Sequence, residues 1–218
     1  MIETLQCKAV IFDFDGTLAD SMPFLEKIGV QVMMKYYDVS KEEATRRYKI
    51  TTGLPYVHQI ETNFPGDKRN ARAVEEFEKL KIDRIFEQTL FPDTEETLRK
   101  VKSKQIDMFV SSSTFQPTIT KYFEMRGLRS YFKDILGYRP GFEKGAHHFK
   151  YVQQEYGIDL SQVVFVGDSL KDFERSRTLC PFIAVTGIFS EKDFRQAGHT
   201  GHIIRRLSEV PDLLEKSK

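Results

Sequence analysis

Residues Val10-Ile11-Phe12-Asp13-Phe14-Asp15-Gly16-Thr17-Leu18 set the frame for the rest of the chain. A short β-branched and aromatic run closed by a glycine reads as a buried strand that opens into a tight turn. Two carboxylates one residue apart, Asp13 and Asp15, end that run, where burial makes charge costly. A lone Asp-Gly pair would be read as a turn and its cap. With a second acid and the Thr17 hydroxyl alongside, the segment reads instead as the C-terminal end of a parallel strand, the edge on which open α/β sheets carry their sites.

After Leu18 the periodicity turns helical. Phe24, Ile28, Val32 and Tyr36 predict a helix from Ser21-Met22-Pro23 to about Tyr37, and Ser40 with Glu43 is a capping-box pair for a second one. A break at Thr51-Thr52-Gly53-Leu54-Pro55 leads to a third helix near Tyr56 to Asn63. A fourth follows from about Asn70 to Thr89, with Val74, Phe77, Leu80, Ile82 and Ile85 as its inner face. Beyond Phe91-Pro92, helical and strand patterns alternate, which argues for a parallel sheet with crossover helices. Strands are expected at Ile106 to Val110, Asp134 to Leu136, Val163 to Val166, Phe182 to Val185 and His202 to Ile204. Helices are expected at Thr94 to Lys104, Pro117 to Arg126, Phe142 to Tyr156 and Val210 to Lys216. The expected fold is therefore α/β: a Rossmann-like parallel sheet core made of 1–18 and 91–218, with an all-helical domain, 19–90, inserted after the first strand.

Charge and composition narrow the function classes. Lys plus Arg number 33 against 32 for Asp plus Glu, so the basic surplus of a nucleic-acid binder is missing. No apolar stretch approaches a membrane span, and Met1 to Lys8 lacks the apolar region of a secretory signal. Two cysteines, Cys7 and Cys180, make no disulfide framework, and the expectation is a cytoplasmic protein, monomer or small homo-oligomer, with no nucleic-acid or membrane partner.

Several predicted strands end in chemistry: Asp13 and Asp15 after the first, Ser111 after the second, Asp168 and Asp172 after the fourth. Parallel strands bring those ends together. Carboxylates converging on one edge repel unless a cation lies between them, and hard oxygen ligands suit a magnesium ion.

With these motifs in order, the chain resembles the haloacid dehalogenase superfamily, in its phosphoglycolate phosphatase and β-phosphoglucomutase-like branch. The resemblance rests on Asp13-Phe14-Asp15-Gly16-Thr17, the strand-end Ser111, Lys144, and Gly167-Asp168-Ser169 with Asp172. It implies a helical cap, magnesium dependence and phosphoryl transfer through an aspartyl-phosphate. It also implies the roles: Asp13 as nucleophile, Asp15 as general acid and then base, and Asp13, Asp168 and the Asp15 carbonyl as metal ligands. Ser111, Lys144, Thr17 and main-chain amides near Phe14 and Ser112 would hold the phosphoryl group, while Asp172 and Ser169 would order metal-bound water. The second acid favours esters, since a leaving alkoxide needs a proton and a halide does not. At His199 or Thr200 this branch commonly has an acid, a departure away from the site.

The expected substrate is a small phosphate monoester. A phosphomutase using the same site is the alternative, and a non-enzymatic phospho-aspartate regulator is disfavoured by the helical insertion. In that insertion Tyr56, His58 and Gln59 are the candidate substrate-reading residues. The neighbours His147 and His148 point about a hundred degrees apart on a helix, so they do not make a joint metal site, and one of them is expected to face the core or the lid.

Overall fold

A computed structural model describes residues 3–51 and 54–217. Two compact units emerge: Met1–Ala19 with Leu90–Lys218, and Asp20–Thr89.

The larger unit is built on a six-stranded sheet in the order β6-β5-β2-β7-β8-β9, every pairing parallel. Its strands are β2 (Ala9–Asp13), β5 (Asp107–Phe115), β6 (Asp134–Tyr138), β7 (Val163–Gly167), β8 (Phe182–Val185) and β9 (Ile203–Ile204). Every residue of β2, β7 and β8 is buried. Continuous apolar runs are what a parallel sheet covered on both faces requires. Ile11, Phe109, Phe165 and Phe182 meet Phe149 and Val152 of α7 (Ala146–Tyr156) in the apolar core of this unit. The other helices of the unit are α5 (Thr94–Ser103), α6 (Gln116–Met125), α8 (Leu170–Ser176), α9 (Glu191–Gln196) and α10 (Val210–Leu213).

The second unit holds α1 (Met22–Tyr37), α2 (Lys41–Ile50), α3 (Tyr56–Asn63) and α4 (Asn70–Asp83) around its own apolar cluster, which includes Phe24, Ile28, Met33, Tyr48, Tyr56 and Phe77. The chain passes between the units at the short strands β3 (Ala19–Asp20) and β4 (Thr89–Leu90). The Thr52-Gly53 part of the expected break lies outside the described residues.

Several expectations need correction. The fourth helix stops at Asp83, and a 3₁₀ turn, Ile85–Glu87, follows; Ile82 is 38% exposed rather than on the inner face. The capping box of α2 is only half made. Ser40 accepts from the Glu43 amide, but the Glu43 carboxylate turns forward to Arg46 and Arg47. The second core strand runs on to Phe115, with a register shift against β6 between Ser111 and Phe115. α7 starts at Ala146, so Phe142 to Gly145 are loop. Finally, the last helix covers only Val210–Leu213. Leu214–Lys216 is a strand, β10, parallel to β1 (Leu5–Cys7).

Candidate active site

The central position of β2 decides where the chemistry lies. Asp13 is its last residue, its register partner on one side is Ser111 of β5, and on the other side β7 ends at Gly167 with Asp168 next in the chain. Beyond Asp13 the backbone wraps the Phe14 carbonyl, which accepts from the amides of Leu18 at 3.0 Å and Ala19 at 2.9 Å. The Phe14 ring is buried edge-on against Tyr122 and Phe123, and this anchors the turn. Gly16 has φ +79°, and a Cβ there would lie 2.1 Å from Asp168 Oδ2, so the turn passes directly over that carboxylate.

One lysine holds the acids. Lys144 Nζ lies 2.6 Å from Asp13 Oδ1 and 2.7 Å from Asp172 Oδ1, with all three side chains almost wholly buried. It comes from the loop ahead of α7, not from the solvated start of a helix. Arg175 adds a more distant cation, 3.6 Å from Asp172. The other Asp172 oxygen accepts from Ser169 Oγ at 2.7 Å, and the Asp172 amide donates back to that oxygen at 3.1 Å, capping α8. Thr17 Oγ1 is buried 3.4 Å from Asp13 Oδ2. Ser112 is also buried, its Oγ accepting from the Thr114 amide at 3.0 Å. Asp15 is half-buried and bridges to Ala19.

The electrostatics of the cluster call for a cation. Asp13, Asp168 and Asp172 each bring a carboxylate oxygen within 4.8 Å of the others, and all three are buried. Burial pushes Asp13 up to about 7 against the pull of Lys144, with Asp172 and Asp15 adding to the rise. Burial also drives Asp168 well above the carboxylate range, helped by the nearby charges of Asp13 and Asp172. Lys144 would be lowered by burial alone, but Asp13 and Asp172 outweigh that and hold it above the usual lysine range. Buried carboxylates this close repel, and a proton or a cation between them relieves the repulsion. Three acids against one lysine therefore leave a place that a hard divalent ion fits.

Residues 10–185 match the model of the haloacid dehalogenase-like hydrolases. The chain belongs to that family. A phosphoglycolate phosphatase of Synechococcus elongatus is 26% identical to this hydrolase over 187 residues, 85% of this chain and 86% of that one. A haloacid dehalogenase-like hydrolase domain-containing protein of Arabidopsis thaliana is 26% identical over 219 residues, 95% and 84% of the two chains. Among solved structures, a haloacid dehalogenase-like family hydrolase of Streptococcus pneumoniae superposes with TM-score 0.80 at 21% identity, covering 94% of this chain and 96% of that one. A predicted phosphatase from Clostridium acetobutylicum gives 0.78 at 22%, covering 95% and 97%. These superpositions speak for the fold.

The hydrolase thus gathers Asp13, Asp168, Asp172, Lys144, Thr17 and Ser169 around the ends of β2 and β7, with Ser111 adjoining Asp13. The helical candidates fare differently. Tyr56 is buried, stacked on Phe77 with its hydroxyl donating to the Gly29 carbonyl at 3.0 Å. Gln59 is buried between Leu54, whose carbonyl it meets at 2.9 Å, and the Thr51 hydroxyl. Both polar groups bond within the helical unit; of the three, only His58 is exposed.

Of the two neighbouring histidines, one of which was expected to face the core or the lid, it is His148 that is fully buried, and its bond to Ser111 was not foreseen. A signal existed: His148 and Val152 are four apart on the face of α7 that enters the core, and His147 falls on the exposed side.

Proposed function

We propose that the hydrolase is a magnesium-dependent phosphatase acting on a small phosphate monoester through an aspartyl-phosphate on Asp13. The observation that carries this reading is a buried strand-end carboxylate, ion-paired at 2.6 Å with a buried lysine, beside two further buried carboxylates. A carboxylate approaching a phosphate dianion at 4 Å meets a repulsion of about 8 kcal/mol at an effective dielectric near 20. Asp13, Asp168 and the Asp15 carbonyl are the ligands assigned to magnesium, which when bound would offset charge on the phosphoryl oxygens.

The chain's own groups do the rest. Lys144 favours the ionised form of Asp13 against the effect of burial and offers positive charge to the transferring group, while Ser111, Thr17 and the main chain at Phe14 and Ser112 bind its oxygens. Asp13 Oδ attacks phosphorus as the ester P–O bond breaks, and Asp15 gives its proton to the departing alkoxide. Asp15 then takes a proton from water, whose oxygen attacks the same phosphorus. The Asp13–phosphoryl bond breaks, and inorganic phosphate leaves. Asp172, tied to Lys144 and Ser169, orients the lysine and orders water.

In the inserted helical unit, the exposed His58 is the candidate for contacting substrate. Relatives named phosphoglycolate phosphatase make 2-phosphoglycolate the first compound to assay in a panel of metabolite phosphates. With magnesium and para-nitrophenyl phosphate, Asp13→Asn should lose turnover by at least about 10³-fold, the scale for loss of a covalent nucleophile, while melting near the wild-type temperature. EDTA should stop wild-type turnover. Full activity of Asp13→Asn would refute the nucleophile assignment.

A further inference from the structure

Ser111 and His148 have no exposed surface at all, and of the two the reaction scheme above uses only Ser111. His148 lies in the first turn of α7 with its ring tilted against Phe142 at 4.6 Å. Its Nε2 is 3.2 Å from the Gly137 carbonyl, and its Nδ1 is 2.8 Å from Ser111 Oγ. A carbonyl only accepts, so Nε2 carries the ring proton and Nδ1 is the acceptor. The Ser111 hydroxyl therefore donates to His148.

The setting explains why a histidine is there. Between Ser111 and Phe115 the register of β5 against β6 slips, and the Gly137 main chain, at the slip, bonds to side chains instead. Gln116 Oε1 accepts from the Gly137 amide at 2.7 Å, and His148 donates to its carbonyl. A Cβ at Gly137 would fall 2.6 Å from Gln116 Cα and 2.7 Å from the Thr114 carbonyl oxygen, so the end of β5 and the start of α6 lie too close there for a side chain. The same slip carries β5 past Ser111, whose Cα is the register partner of Asp13.

We propose that His148 is a positioning residue for phosphoryl binding: it holds the Ser111 hydroxyl in one rotamer beside the end of β2 and yields it to the incoming phosphoryl oxygen. This rests on the reading of Ser111 as a phosphoryl contact. Phosphoryl oxygens accept and do not donate, and a serine has one proton, so Ser111 exchanges His148 Nδ1 for substrate when it binds. The bond to His148 sets the Ser111 Oγ rotamer before substrate arrives, so that only the hydroxyl proton has to turn, and an oxygen placed before binding costs less of the binding energy.

The two bonds of the ring can be separated. In His148→Gln the amide nitrogen falls near the Nε2 end and keeps a donor for Gly137, while the Nδ1 acceptor is lost. In His148→Asn an amide oxygen can stand near Nδ1, while the reach to Gly137 is lost. With magnesium and para-nitrophenyl phosphate, His148→Gln should lower kcat/KM about tenfold and raise the inhibition constant for inorganic phosphate, as loss of one hydrogen bond to an anion does. His148→Asn should stay within about threefold of wild type. Combined with Ser111→Ala, His148→Gln should add nothing further, because both remove one contact. Overturning results are a kinetic loss larger in His148→Asn, in step with a fall in melting temperature, or losses that multiply in the double variant; either makes His148 a packing residue. If Ser111→Ala alone keeps full activity, the Ser111 assignment fails as well. A loss in Ser111→Ala with multiplying effects leaves Ser111 standing and removes His148 alone.

Discussion

At the scale of single residues the tightest constraint is Gly16. Its positive φ of +79° is one that side-chain-bearing residues rarely adopt, and Asp168 Oδ2 occupies the place of its absent Cβ at 2.1 Å. Gly16→Ala must therefore displace the turn or the carboxylate. The backbone term alone costs about 1 kcal/mol, and the displaced carboxylate belongs to the proposed metal set. Gly16→Ala is expected to melt a few degrees low, and its magnesium requirement should rise about tenfold or more even at saturating substrate, since one ligand has moved. Magnesium titrations of turnover in the two proteins check this; an unchanged half-saturating magnesium concentration would count against Asp168 as a ligand. The gathering of Asp13, Asp15 and Asp168 at one sheet edge was legible from sequence because each ends or follows an apolar run, whereas Lys144 follows none and was singled out only by the resemblance. The spacing of His148 from Val152 marks it as inward-facing, but its bond to Ser111 is not legible until the strand carrying Ser111 is placed beside its helix.

Secondary-structure elements show where local pattern suffices and where it does not. α3 runs from Tyr56 to Asn63 as its periodicity predicts, and the parallel strands stand where their apolar runs put them. The C-terminal segment behaves otherwise. Leu213-Leu214-Glu215-Lys216 has good helix formers, yet Leu214–Lys216 is a strand, because its partner Leu5–Cys7 lies some 200 residues away and local propensity carries no trace of it. Leu214 is fully buried, Lys104 donates to its carbonyl at 2.9 Å, and the Ser217 amide donates to the Cys7 carbonyl at 2.9 Å. This pairing covers Cys7, whose thiol burial pushes up to about 12; burial does the same for Cys180. Neither thiol should react with an aromatic disulfide reagent in the native protein at pH 8, because thiolate is scarce and access is closed. Removing residues 214–218 deletes one buried leucine and one strand, a loss of about 2–4 kcal/mol. It should make one thiol reactive under native conditions, and mass spectrometry should find the label on Cys7. Label on Cys180 instead, or none, would mean that β10 does not shield β1.

For the molecule as a whole, the acid cluster ties stability to pH and to magnesium. Asp13 is raised in the folded state to about 7 from an ordinary value of 3.8. A raised folded pKa gives stability that is present below the unfolded value and lost as pH climbs through about 7. Asp168 is shifted in the same direction. His148 has the opposite sign: burial lowers it from 6.5 to about 3, so the neutral ring supports the fold above 6.5 and that support fades as pH falls toward 3. Each group contributes at most about 1.4 kcal/mol per pH unit. Without a divalent ion the two slopes oppose each other between roughly pH 4 and 6.5, and above that only the carboxyl slope remains, so stability declines toward pH 8. A bound cation holds the carboxylates ionised, removes that slope, and competes with the protons the cluster would otherwise keep. Magnesium should therefore raise the melting temperature clearly at pH 8 and little at pH 5, and Asp168→Asn should reduce the increment at pH 8. Melting curves from pH 4 to 8, with EDTA and with millimolar magnesium, measure both slopes. A magnesium increment equal at both ends would separate ion binding from the buried acids, and with it the reading of this cluster as the metal site.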